Sequence, residues 1–149
     1  MNRRDRQRDG NGTPILPDKG VGEKVTPVEA RTDMPAVFAA ADCVVDASWA
    51  GTGITGTIRE AMAMRRPVIA TDCGGNRELV NSPDVGWLVP PRSRSLLTAA
   101  LREVIGDPAR ASGVGAKAGL RVEQGFSMEQ RIDRLEGLYR EIIEAKARK

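Results

Sequence analysis

The sequence predicts an α/β fold, a parallel sheet of about four strands flanked by helices and closed by a long C-terminal helix. Three observations predict it. Two short apolar runs, Cys43-Val44-Val45 and Pro67-Val68-Ile69-Ala70-Thr71, are rich in the Val and Ile of strands buried on both faces. Between them the chain turns to helix period from Thr57 to Met64, the crossover that parallel strands require. The loop joining the first run to that helix holds Gly51, Gly53 and Gly56 with Thr52, Thr55 and Thr57. A Gly-rich turn is thereby set at the carboxyl end of a strand and the amino end of a helix, where free N–H groups and the helix dipole favour an anion such as phosphate.

Residues 1–24 mix charges with Gly, Pro and Asn and show no apolar period, which predicts a disordered tail ahead of a folded region over 25–149. Val25 to Glu29 has strand-like residues, and Pro27 confines it to an edge or to the first ladder position. Thr32-Asp33-Met34-Pro35 reads as a helix start leading into Ala36–Ala41. After Thr71 comes a second Gly-containing loop, Asp72 to Glu78, then a turn at Leu79-Val80 and a last strand, Gly86 to Val89, closed by Pro90-Pro91. The remainder is helical. One helix is capped by Ser93 or Ser95 and ends at Gly106-Asp107-Pro108, and a second covers about 109–124 and is softened by glycines. The last starts at the capping box Ser127-Met128-Glu129-Gln130 and sets Met128, Ile132, Leu135, Leu138 and Ile142 on one stripe, which should cover its own sheet or an adjoining domain.

With 149 residues, 40% hydrophobic and 29% charged, the chain has material for one domain. A net charge of +3, with arginines mixed among acids and not interleaved with aromatics, argues against a nucleic-acid partner. No apolar run reaches the roughly 18 residues of a membrane span, and no apolar stretch follows the charged amino terminus, so a cytoplasmic location is expected. Cys43 and Cys73 fall at opposite ends of neighbouring predicted strands, too far apart for a disulfide, and are read as reduced thiols. With no histidine in the chain, imidazole acid–base chemistry and histidine metal ligation are excluded, and no metal site is expected.

Several phrases occur in a telling order: Asp33-Met34-Pro35 with Ala39-Ala40-Ala41-Asp42, Ser48 after a strand, Arg59-Glu60-Ala61-Met62-Ala63, Pro67 to Thr71, Gly74-Gly75 with Glu78, Gly86 to Pro91, then Phe126-Ser127 and Leu138-Tyr139. The ordered set resembles the nucleotide-sugar half of the family 4 retaining glycosyltransferases, whose GT-B architecture faces two Rossmann-like domains across a cleft. The resemblance implies that the donor substrate is a nucleotide-diphosphate sugar and that no cofactor is needed. In that family a glutamate on the helix bonds the ribose hydroxyls of the donor, and Glu60 stands at its position; a carboxylate suits two hydroxyl donors. The residues alone also allow a plain Thr57-x-x-Glu60 capping box. The loop from Thr52 through Gly53, Ile54, Thr55 and Gly56 to Thr57 is implied to meet the diphosphate and sugar. Gly74-Gly75 is implied to lie beside the base or the sugar, and is equally readable as a simple βα turn.

The match breaks at named positions. The family's second glutamate, eight residues before the first, falls on Thr52, and its glycine after the helix falls on Arg65, where left-handed backbone would cost about 1 kcal/mol. The acceptor domain and the Arg–Lys pair that neutralises the leaving diphosphate have no counterpart, leaving Arg59, Arg65, Arg66 and Arg77 as the nearby cations. A partial sheet should leave the Val44-Val45 strand with a bare edge, to be covered by the Val25 segment, by a missing N-terminal half or by a partner chain. Two other readings stay open: a truncated nucleotide- or partner-binding module without catalysis, and a sugar-nucleotide epimerase. No Gly-x-Gly-x-x-Gly opens a helix after a strand, which disfavours a dehydrogenase.

Overall fold

The computed structural model describes residues 24–26, 28, 30–51 and 53–148. The chain divides into two compact units, residues 1–34 and 35–149. In the first, the described residues include an exposed ion pair between Arg31 and Asp33. Residues 1–23, where the tail is expected, lie outside the described residues.

Three parallel strands form the sheet in the order β1-β2-β3: β1 is Val44–Asp46, β2 Val68–Thr71 and β3 Trp87–Val89. The expectation of four strands is corrected to three, because the described residues from Lys24 to Val28 hold no strand. Pro27 offers no N–H to a ladder, and the run carrying it is too short to offset that loss. All four residues of β2 are buried, as a strand between two neighbours requires, whereas β1 and β3 each pair on one side only among the described residues.

The described residues form six helices: α1 Met34–Ala40, α2 Gly56–Ala63, α3 Asn76–Leu79, α4 Arg94–Gly106, α5 Pro108–Gly125 and α6 Met128–Ala147. Helix α2 lies against β1 and β2, α4 against β2 and β3, and α5 against both α2 and α4. The core therefore gathers around β2, with Ile69, Val89, Ala100, Val104 and Ala111 in one cluster and Ile58, Ala61, Met62 and Val68 fully buried. Helix α5 runs unbroken through its glycines, two of which have a packing role. A Cβ on Gly115 would stand 2.5 Å from the Arg65 carbonyl, and one on Gly119 2.6 Å from Arg65 Cγ, so these two residues let α5 press onto the turn that ends α2.

Helix ends follow their cap residues. Asp107 accepts from Arg110 N at 2.9 Å at the start of α5, and Ser127 accepts from Gln130 N at 3.2 Å at the start of α6. The box at Ser127 is half formed: Gln130 Nε2 donates to the Gln124 carbonyl, and its Oε1 accepts from no donor among the described residues. Helix α6 buries none of its residues: Met128, Ile132, Leu135, Leu138 and Ile142 all stay exposed, so the apolar stripe covers no part of the sheet among the described residues.

Candidate functional site

The loops that follow the strands meet at their carboxyl ends, the edge where open parallel sheets bind ligands. Asp46, the buried last residue of β1, accepts from Ser48 N at 2.9 Å and from Ser48 Oγ at 2.5 Å. Burial disfavours its charge, yet the bonds from Ser48, joined by Thr55 and Asn76, outweigh that and hold its carboxyl below the usual 3.8. Thr71, ending β2, donates Oγ1 to the Ser48 carbonyl at 2.5 Å. Two strand ends are thereby fastened to one loop.

Asn76, fully buried at the start of α3, makes the second fastening. Its Nδ2 donates to the Thr71 carbonyl at 3.1 Å and its Oδ1 accepts from Thr55 N at 3.2 Å. Gly75 N donates to the Gly53 carbonyl at 2.9 Å, and Gly74 turns through left-handed backbone at φ 55°. A Cβ on Gly74 would stand 2.6 Å from Gly53 O, and one on Gly75 2.7 Å from Ile54 Cγ1, distances that only glycine allows. The structure thus sets Gly53, Ile54 and Thr55 directly against Gly74 and Gly75. Thr52 lies outside the described residues.

Helix α2 begins at Gly56 with Thr55 as N-cap, and Thr55 makes no side-chain cap bond. Thr57 is therefore inside the helix, and the Thr57–Glu60 capping box does not form. Its failure leaves Glu60 unoccupied as a cap: the side chain is exposed, Oε1 lies 3.7 Å from where a Gly56 Cβ would stand, and the carboxylate makes no ion pair among the described residues. It points back along the helix towards the glycine loop.

The four arginines near the site differ. Arg65 pairs with Glu123 at 3.3 Å, Arg77 pairs with Asp72, and Arg66 Nε is buried without a partner among the described residues. Arg59 faces a cleft shared with α6. A fifth guanidinium, not anticipated from the sequence, stands at the loop itself: Arg92 stacks on the exposed Trp49 ring at 4.8 Å, with its own backbone left-handed at φ 61°. No motif in the sequence pointed to it. Both cysteines are free, and burial, helped by Asp42, pushes the Cys43 thiol up to about 11. Among the described residues no group of three acidic or thiol side chains gathers as a metal site.

A family described as "Glycosyl transferases group 1" matches residues 9–107. The chain belongs to that family. It is 33% identical over 135 residues to D-inositol 3-phosphate glycosyltransferase 1 of Catenulispora acidiphila, covering 89% of this chain and 32% of the relative. Among solved structures it is similar to the sucrose-phosphate synthase of Thermosynechococcus elongatus, with 32% identity, a TM-score of 0.77 and coverage of 85% of this chain and 32% of the other. It is also similar to Anabaena HepE in complex with UDP-glucose, with 26% identity, a TM-score of 0.73 and coverage of 80% and 33%. The chain spans about a third of the length of these relatives. No helix among the described residues is long and apolar enough to cross a membrane.

Proposed function

We propose that this chain is the donor-binding portion of a retaining, family 4-like glycosyltransferase, and that it holds a nucleotide-diphosphate sugar at the carboxyl ends of β1 and β2. The observation that carries the reading is the unpartnered Glu60 carboxylate, aimed at a glycine loop that is itself braced by Asn76, Gly74 and Gly75. In this reading Glu60 accepts both ribose hydroxyls. The uncapped amino end of α2, at Gly56 and Thr57, and the backbone from Gly53 to Thr55 meet the diphosphate. Thr52, where the family's second glutamate would stand, brings no charge to the transferred sugar in this reading. Gly74 and Gly75 approach the base or the sugar. Arg92 supplies positive charge for the leaving diphosphate, a task for which Arg65 and Arg77 are already engaged.

HepE's complex with UDP-glucose makes uridine diphosphate the first nucleotide to test. Transfer itself, in this proposal, needs an acceptor-binding half from a longer chain or a partner, in keeping with the third of its relatives' length that the chain spans. The two free thiols suit a reducing cytoplasm.

The test is urea unfolding followed by Trp49 and Trp87 fluorescence, with and without uridine and guanosine diphosphates. One nucleotide should stabilise the fold by about 2.7 kcal/mol at a hundred times its dissociation constant. Glu60→Gln should lower that affinity by about tenfold, the worth of one charged hydrogen-bonding group, and leave the nucleotide-free midpoint in place because the side chain is exposed. A cooperative transition indifferent to every nucleotide would favour the reading of a partner-binding module without catalysis.

A further inference from the structure

A second concave site opens beside the glycine loop, which lends it Ile54, between α2, α3 and the first half of α6. It encloses about 540 Å³, the size of a small-molecule pocket. Its charge is one-sided. Arg59 from α2 and Arg131 and Arg134 from α6 line it, against a single carboxylate, Glu78. Arg131, Arg134, Leu135 and Leu138 are spaced as one face of a helix, so α6 turns two guanidinium groups and two leucines together into the cleft.

Those arginines are not consumed by the fold. Neither Arg59 nor Arg131 makes an ion pair among the described residues, and Arg134 spends one donor on the Gly125 carbonyl at 3.3 Å. A guanidinium carries five donors in a planar fork suited to phosphate oxygens. The opposite wall is apolar, built from Ile54 and Phe126. It is also fixed: Arg121 donates Nε to the Leu79 carbonyl at 2.7 Å and Nη2 to the Glu78 carbonyl, and lies over the Phe126 ring at 5.2 Å. Helix α3, the α5–α6 corner and the ring between them are thus held together.

We propose that this cleft binds a small phosphomonoester with an apolar or aromatic body, its phosphate held by Arg59, Arg131 and Arg134 and its body laid on Ile54, Phe126 and the two leucines. A doubly charged phosphate answers the three-to-one excess of guanidinium over carboxylate, and its three oxygens accept forked donors. An apolar body suits the remaining wall, where Ile54, Phe126, Leu135 and Leu138 leave only Ser127 and Glu78 to hydrogen-bond a sugar. The inference does not rest on the donor reading: Ile54 is the residue the cleft shares with the donor loop, and none of the three arginines is among the groups assigned there to the nucleotide.

Phenyl phosphate serves as probe, with inorganic phosphate and phenol as its separate halves, titrated into the full chain and followed by backbone amide NMR. Phenyl phosphate should bind saturably and more tightly than either half, shifting the amides of Phe126, Ser127, Arg131 and Leu135. Replacing both exposed arginines (Arg131→Gln with Arg134→Gln) should lower its affinity by about tenfold or more, while the exposed Arg110→Gln, outside the cleft, changes nothing. Uridine diphosphate binding should be the same in all three proteins, which separates failure here from failure of the donor site. Vesicles of anionic phospholipid should bind the double variant and the native chain alike. The proposal is overturned by an absence of saturable binding, by equal affinity in the double variant, by shifts confined to Gly53–Thr57, by competition from uridine diphosphate, or by vesicle binding that needs the two arginines.

Discussion

Arg65 ends helix α2 in left-handed backbone at φ 56°, the position where glycine usually stands. The turn around it is a Schellman motif: Arg66 N donates to the Ala61 carbonyl at 3.0 Å and Arg65 N to the Met62 carbonyl at 2.8 Å. A side chain in that backbone costs about 1 kcal/mol. Its return is an exposed ion pair with Glu123 at 3.3 Å, worth between about 0 and 1 kcal/mol. The strain should win. Arg65→Gly is therefore expected to raise the urea midpoint, by up to about 1 kcal/mol of stability. A loss of stability instead would mean that the arginine stem, which lies against Gly119, contributes more through packing than its backbone costs. This conformation was expected beforehand from the resemblance, which sets a glycine at position 65. Arg92 was not. Its left-handed backbone and its stacking on Trp49 depend on where the β3 loop arrives in space, which no local pattern encodes.

Helix α5 carries a contrast between two of its glycines. Gly115 lies where a Cβ would meet the Arg65 carbonyl at 2.5 Å and Pro67 N at 3.0 Å, both backbone atoms that cannot swing aside. Gly113, half a turn away, has nothing within 4 Å. Alanine is the better helix former by about 1 kcal/mol at either position. At Gly113 that gain should appear in full. At Gly115 the overlap should cost about 1–3 kcal/mol and reverse the sign. Thermal melts of Gly113→Ala and Gly115→Ala are expected to move in opposite directions; a rise in both would mean that α5 can withdraw from the α2 turn at no cost. The sequence showed the glycines and suggested a softened helix, because spacing reports how often glycine occurs and not which face meets a neighbour. The apolar runs, the crossover and the helix stops were all readable, since each depends on residues adjacent along the chain. The Val25 strand failed for the opposite reason: apolar content alone did not offset the donor that Pro27 removes. At the site, the glycine loop and Glu60 were readable as separate pieces, but Asn76, which joins the two loops, acts across 21 positions of sequence.

Stability across the whole molecule should be uneven, because burial is. Strand β2 is covered on both faces and paired on both edges; α2 and α4 lie against it and α5 packs on both, with Ile58, Met62, Val114, Ala118 and Val122 buried. Helix α6 has 20 residues and buries none of them. Its stripe is 42% exposed at Leu135 and 47% at Ile132 and Ile142, so little tertiary packing supports it. Most helical stability in a protein comes from tertiary packing and not from propensity, and the exposed Arg140–Glu136 and Arg148–Glu144 pairs add only about 0.3–0.5 kcal/mol each. Opening α6 should therefore cost far less than unfolding the sheet. Native-state hydrogen exchange measures this directly. The amides of Ile69, Ala70 and the buried face of α5 should exchange only through global unfolding, and those of α6 beyond Leu138 through local opening, many times faster. Residues 131–138 offer an internal comparison, since they wall the arginine cleft: phenyl phosphate should slow their exchange and leave the far end of α6 unchanged. Exchange in distal α6 as slow as in β2 would contradict this picture and mean that the Ile142 end of the stripe is covered, by a second copy or by residues 1–23. Repeating the measurement at several protein concentrations separates those two, because only association between chains strengthens as the concentration rises.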